Sequence, residues 1–306
     1  MKKLRRMSVI FLLAAAPALM AVGPTPIVTE PGYTVTGTVD WKSATLSVQV
    51  AHQLDASTPS LVRAKSDAET DIDARVPDFL SRALSVVTVD SSHTFADVLG
   101  SNASLYAKVN DLAAAAPRAE VSLSADFSTL NVRYAIPLFG DQGIATPLLP
   151  AVAAPPRRRL GDVVTRAYTG LLIFAQGPLP EIGTTRMVAA QPALFPRIWD
   201  EQMNLVLDKG MCNPASLARW GMVGYAQDID DPAAALRVGA APLRLVARAV
   251  FGEKGTDLVI STDGARQLLT REQNIDILRE GRICVVYDSV GASAETASGT
   301  PTAQSP

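Results

Sequence analysis

Residues 44–83 read ATLSVQVAHQLDASTPSLVRAKSDAETDIDARVPDFLSRA, and the change of period inside this stretch decides the fold. Ala44, Leu46, Val48 and Val50 alternate with Thr45, Ser47, Gln49 and Ala51, the pattern of a strand with one face on a core. Thr58 then stands where a helix cap belongs, with Pro59 at the first helical position. Beyond it Leu61, Ala68, Ile72, Val76, Phe79, Leu80 and Ala83 recur at spacings of three and four, and Arg63, Lys65, Asp67, Glu69 and Asp71 take the wet side. Pro77 has no backbone N–H, so the helix is expected to kink or divide there.

Working outward, residues 86–89 form a β-branched run, and residues 95–99 lead into a helix over 103–115 that Pro117 ends. A hairpin follows. Val121, Leu123, Ala125 and Phe127 alternate, Ser128 and Thr129 reverse the chain, and Leu130, Val132, Tyr134 and Ile136 alternate again. Strand, helices and hairpin in this order predict an α+β domain over 40–140, with helices on one face of an antiparallel sheet. Upstream, residues 22–39 read as an extended lead-in. Downstream, residues 141–167 are proline-rich and carry Arg157, Arg158 and Arg159, read as a solvated linker.

A second mixed α/β domain is expected over 168–289. Its strands are read at 171–174, 222–225, 257–261 and 282–287, and at 243–251, where Leu243, Leu245, Ala247, Ala249 and Phe251 share a face. Residues 233–238 read as a helical turn, Thr262 or Asp263 as the cap of a helix, and Thr270 with Gln273 as a capping box for the next. The fold class is thus α+β, two small mixed domains, with a small and polar tail over 290–306.

The N-terminus predicts the compartment. Lys2, Lys3, Arg5 and Arg6 precede an apolar run, and Ala18 and Ala21 offer small residues for cleavage, so residues 1–21 read as an export signal and the protein as periplasmic. No cysteine stands at the cleavage point to carry a lipid, and no later stretch approaches a membrane span, so the product is expected to be unlipidated and peripheral to a membrane at most. Without the leader's four cations the chain has 24 basic against 30 acidic residues, which argues against nucleic acid as a partner. Two cysteines remain, Cys212 and Cys284. They could close one disulfide across about 70 residues, or stay as separate buried thiols.

The catalytic inventory is thin. His52 ends a strand and His93 lies in a polar turn, and no nucleophile elbow accompanies either. Asp67, Glu69, Asp71 and Asp73 spread over a broad helical face instead of converging. Asp228, Asp230 and Asp231 resemble the start of a calcium loop but run into Pro232. Residues 252–256 hold a phosphate loop's letters in the wrong order, and residues 261–265 an ordinary cap. No catalytic residue, cofactor or metal is expected.

The apolar and glycine positions at 168–173, 192–200, 224–225, 238–243, 256–261 and 282–287 resemble a block found in exported bacterial envelope proteins of the LPP20-like, FlgP- and FlgT-like group; the first domain is similar to the small LPP20-like domain. The resemblance implies a non-enzymatic envelope component whose partners are envelope or flagellar proteins. The expectation is therefore a periplasmic scaffold or assembly factor, possible flagellar or outer-membrane association included. The alternative is a ligand-binding module with a cleft between the domains, lined by Tyr168, Trp199, Arg219 and Trp220.

Overall fold

The structure, a computed structural model, describes residues 26–154, 156 and 163–288. The expected export signal, the arginine run at 157–159 and the tail at 290–306 lie outside the described residues.

The first domain is a five-stranded antiparallel sheet built from β1 (Pro26–Glu30), β2 (Tyr33–Asp40), β3 (Thr45–Gln53), β4 (Arg118–Leu123) and β5 (Thr129–Pro137), in the order β1-β2-β3-β5-β4. Helices α1 (Leu61–Ala83), α2 (Phe95–Gly100) and α3 (Ala103–Ala114) complete it, with α1 packing on β3 and on α3. The stripe read from the sequence is the one α1 buries: Ala68, Ile72, Val76, Phe79, Leu80 and Ala83, with Ala64 added and Leu61 left exposed. Four details differ. The domain begins upstream of residue 40, because the supposed lead-in contains β1 and β2; Val35 is fully buried, with Tyr33 and Val39 packed beside it. Helix α1 is capped at Ser60, since Asp55 accepts bonds from Ser57 N (2.8 Å) and Ser57 Oγ and holds the preceding residues in a turn of their own. The helix also runs unbroken through Pro77: one lost backbone bond costs less than exposing the buried residues on either side of it. The hairpin reverses earlier, over residues 124–128. There Asp126 accepts from Ser124 Oγ (2.6 Å) and Ser128 Oγ (2.8 Å), and these bonds hold its carboxyl down to about 2.

The second domain contains β6 (Leu171–Ala175), β7 (Leu179–Pro180), β8 (Met187–Val188), β9 (Ile198–Asp200), β10 (Leu205–Leu207), α4 (Pro214–Trp220), β11 (Gly224–Ala226), α5 (Pro232–Val238), β12 (Leu243–Val246), β13 (Ala249–Phe251), β14 (Asp257–Ile260), α6 (Thr262–Thr270), α7 (Glu272–Arg279) and β15 (Ile283–Tyr287). A parallel sheet has the order β11-β15-β6-β12, a mixed sheet the order β10-β9-β14-β13, and β7 pairs with β8. Residues 243–251 are therefore two strands. Ala247 N donates to Phe174 O (2.8 Å) and the next amide, Arg248 N, to Val259 O (2.7 Å), so adjacent residues are claimed by different sheets. Ser261 caps α6, its Oγ accepting from Gly264 N. The capping box does not form, because Thr270 Oγ1 turns back to Arg266 O and Gln273 accepts from Arg271.

The two domains share one core. A single set of contacting buried side chains runs from Val28 and Leu46 in the first to Leu171, Phe195, Ile277 and Tyr287 in the second. Ile144 and Ala145, in the supposed linker, are fully buried within it. No helix among the described residues is long and apolar enough to cross a membrane.

Candidate functional site: a cleft between the domains

Where the domains meet, a cleft of about 770 Å³ is lined from the first by Gly37–Asp40, Trp41, Val86 and Thr88, and from the second by Gln191, Pro192, Gln227, Lys254 and Tyr287. Gln227 follows β11 and Tyr287 ends β15, so the second domain presents the carboxyl ends of two parallel strands, the edge where open α/β sheets hold ligands.

Its walls are fixed from both sides. Asp40 closes the turn after β2 by accepting from Lys42 N (3.0 Å) and Ser43 Oγ (2.7 Å), which sets Trp41 at the cleft mouth. The Trp41 indole meets Tyr225 edge-on at 5.6 Å, and Tyr225 meets Tyr287 at 5.5 Å. Tyr225 is anchored in turn: its hydroxyl donates to Ala193 O (2.8 Å) and accepts from Ala193 N (2.9 Å), and burial pushes its pKa up. Burial also raises the Tyr287 phenol, with the nearby Asp40 carboxylate adding to the shift, so both phenols are neutral donors at physiological pH.

Four backbone bonds rivet the domains: Leu194 N to Thr88 O (3.0 Å), Phe195 N to Val89 O (2.9 Å), Lys254 N to Ser91 O (3.1 Å) and Gly140 N to Ala218 O (2.7 Å). Gly252 has φ +88, and a Cβ there would lie 2.3 Å from Ser91 Cβ, so a side chain at 252 would force the domains apart. Lys42 reaches across to Asp231 (2.8 Å), which also caps α5 through Ala233 N (2.9 Å). The hydrogen bond between them raises the Lys42 pKa and lowers that of Asp231.

The four residues expected to line an interdomain cleft are not brought together there. Tyr168 donates through its hydroxyl to Gln267 (2.8 Å), lies under Arg166, and borders a separate hollow with residues 240–244. Trp199 donates Nε1 to Asp257 (3.1 Å) and packs edge-on against Phe251. Only Arg219 and Trp220 meet, at the end of α4, where Trp220 Nε1 donates to Glu280 O (2.9 Å). Each aromatic satisfies an acceptor close to it in space, which sequence alone does not reveal. Trp41 and Tyr287 were missed; the Asp40-Trp41-Lys42-Ser43 turn signal was the clue available for the first.

The cysteine alternatives resolve to two free thiols. Cys212 packs in the main core and its Sγ lies 3.6 Å from Leu278 O, whereas Cys284 belongs to the small cluster between the parallel sheet and α5. Burial pushes their pKa values to about 12 and about 11. His52 stacks on Tyr33 at 4.1 Å, its Nδ1 2.9 Å from Gly32 O, and His93 is held by Asp90 (2.9 Å). Asp228 and Asp230 sit in the turn that leads to α5. Among the described residues no group of three or more His, Cys, Asp or Glu side chains is placed to hold a metal ion.

Comparison with curated proteins gives no match. Two family models do match, each over one domain: residues 33–142 fit that of the N-terminal domain of Treponema pallidum Tp0624, and residues 170–289 that of its second domain. Over both domains, in the same order along the chain, this protein is similar to Treponema pallidum Tp0624.

Proposed function

We propose that this is an exported, non-enzymatic envelope protein that works by binding another envelope component, as a scaffold or assembly factor. The observation that carries the reading is the shared core: two domains fused through buried side chains and backbone bonds form a rigid platform rather than a hinged pair. Supporting it, the cleft is lined by aromatic, aliphatic, amide and hydroxyl side chains with one carboxylate, Asp40, and one amine, Lys254, a mixture suited to recognition, and both histidines are engaged in local contacts outside that lining. Association with the flagellar or outer-membrane apparatus is the more specific form of the proposal, and it rests on the sequence resemblance.

The test is fractionation followed by crosslinking in cells, with photoreactive side chains placed around the whole surface. Recovery of the protein in the periplasm with a defined envelope partner is expected. A cytoplasmic location, or an intact envelope and normal motility in a deletion strain without any crosslinked partner, would remove the reading. The second reading, a ligand-binding module, is favoured by the cleft itself; a saturable thermal shift with sugars or cell-wall fragments would support it.

A further inference from the structure

The first domain's sheet has one covered face and one open face. Val35, Leu46, Val48, Val132 and Tyr134 point into the core, and α1 packs against β2, β3 and β5 from that side. The residues that alternate with them point the other way, and none of these in β2, β3, β4 or β5 is buried. Register aligns them in rows across four strands. Thr36, Gln49, Arg133 and Glu120 form one row, and Thr34, Ala51, Asn131 and Ser122 the next.

The chemistry of this face differs from that of a surface that only keeps a protein in solution, which intersperses many charges of both signs. Hydroxyl and amide groups dominate it, and the ion pair at its centre, Arg133 with Glu120 at 2.9 Å, cancels itself. No aromatic, leucine, isoleucine, valine or methionine side chain of these four strands stands on it. Two hollows of about 230 and 300 Å³ share Arg133: Gln49, Ser122 and Asn131 line one, and Thr45, Ser47 and Ala135 the other. None of these residues lines the interdomain cleft. Among the described residues, the side chains of Ser47, Gln49, Ser122 and Asn131 have no hydrogen-bond partner, so their donors and acceptors are open to a ligand.

We propose that this face binds an uncharged polysaccharide, laid along β3 and β5 through the two hollows. The inference goes beyond the assembly reading and does not depend on it. Sugar hydroxyls both donate and accept, and serine hydroxyls and Asn and Gln amides answer them in both senses. The self-cancelling ion pair matches a chain without net charge and offers no field to attract a nucleic acid or a strongly charged peptide. A protein partner would want an apolar or aromatic centre, which this face lacks. Small side chains at Ser47, Ala51 and Ala135 let a ring lie close to the sheet. From Asn131 to Ala135 the strand advances about 13 Å, at about 3.3 Å per residue, a length suited to an oligomer rather than a single sugar.

The test passes the intact protein over a glycan array of neutral, acidic and amino-sugar chains, then titrates it with defined oligomers of any chain retained. Retention of a neutral chain is expected, with affinity that rises from monosaccharide to tetrasaccharide and changes less than twofold between low and high salt. Gln49→Ala combined with Asn131→Ala should weaken binding tenfold or more while the melting curve stays that of the parent protein. Retention of no neutral chain, a preference for acidic chains, or indifference to the paired substitution would overturn the proposal. So would loss of binding on Trp41→Ala in place of the paired substitution, which would move the sugar to the cleft. Photocrosslinks from position 49 to a protein, with no glycan retained, would make the face a protein interface instead. Failure here alongside a crosslinked envelope partner on another face would leave the assembly reading standing.

Discussion

At the scale of single residues, two contacts carry the junction between domains in different ways. Gly252 carries it by what it lacks. With φ +88 and no room beside Ser91, Gly252→Ala combines left-handed backbone strain with a clash against the other domain, and a loss of about 2–5 kcal/mol in chemical denaturation is expected. Lys42 carries it through a charge. Because the hydrogen bond to Lys42 holds the Asp231 carboxyl below its usual value, that pair adds stability above the ordinary carboxylate pKa, and the addition is lost as pH falls through the depressed value. Lys42→Ala should therefore lower the Tm at neutral pH, and the gap from the parent protein should close in scans below about pH 4. A gap that persists at low pH would mean that Lys42 acts through packing instead. Aromatic residues teach the converse lesson about reading a sequence. Trp199, Trp220 and Tyr168 were visible as large side chains, but each donates to an acceptor 58 to 99 residues away along the chain, and such bonds leave no periodic trace.

At the scale of elements, legibility followed periodicity. The buried stripe of α1 and the alternation of β3 and β5 could be read because each is amphipathic over several turns or pairs. Strand β2 escaped notice: Gly37 interrupts its apolar face, and the prolines upstream suggest loop, although Tyr33, Val35 and Val39 keep the period. The separation of β12 from β13 had no local signal, since it depends on which sheet claims each amide. Short helices depend on similarly distant partners. Arg237, in the last turn of α5, donates to Trp220 O (2.8 Å), Gly221 O (2.8 Å) and Gly281 O (2.9 Å), gathering the carboxyl ends of α4 and of the α7 segment around one cation. Burial lowers its pKa to about 10, which still leaves it charged at neutral pH, where the partial negative ends of the helices favour it. Arg237→Met would strand three partly buried carbonyls, and a loss of about 2–4 kcal/mol in urea unfolding is expected. A loss below about 1 kcal/mol would show that water or a neighbour replaces the guanidinium.

At the scale of the whole molecule, the sequence gives two domains and the structure gives one body. The α+β class and the two-part plan were legible because each part has its own strands and helices. Their fusion was not, because it rests on pairs such as Phe139 with Phe195 and Trp41 with Tyr225, far apart in sequence. The same separation hid the lining of the cleft expected between the domains, since it comes from several distant stretches of chain. A continuous core predicts joint unfolding: calorimetry should show a single cooperative transition, and two resolved transitions would mean that the domains melt independently. Strand β1 pairs with β2 only as far as Thr36, so Gly37–Asp40 have no neighbouring strand on that side among the described residues, and this bears on the crowded life of the protein. An exposed strand edge invites any other sheet to pair with it, the first step towards aggregation. Residues 37–40 line the cleft together with Gln191, Pro192 and Lys254 of the second domain, so the junction that fuses the domains also sets this part of the strand inside a crevice, where the rim of another sheet has less access than on an open face.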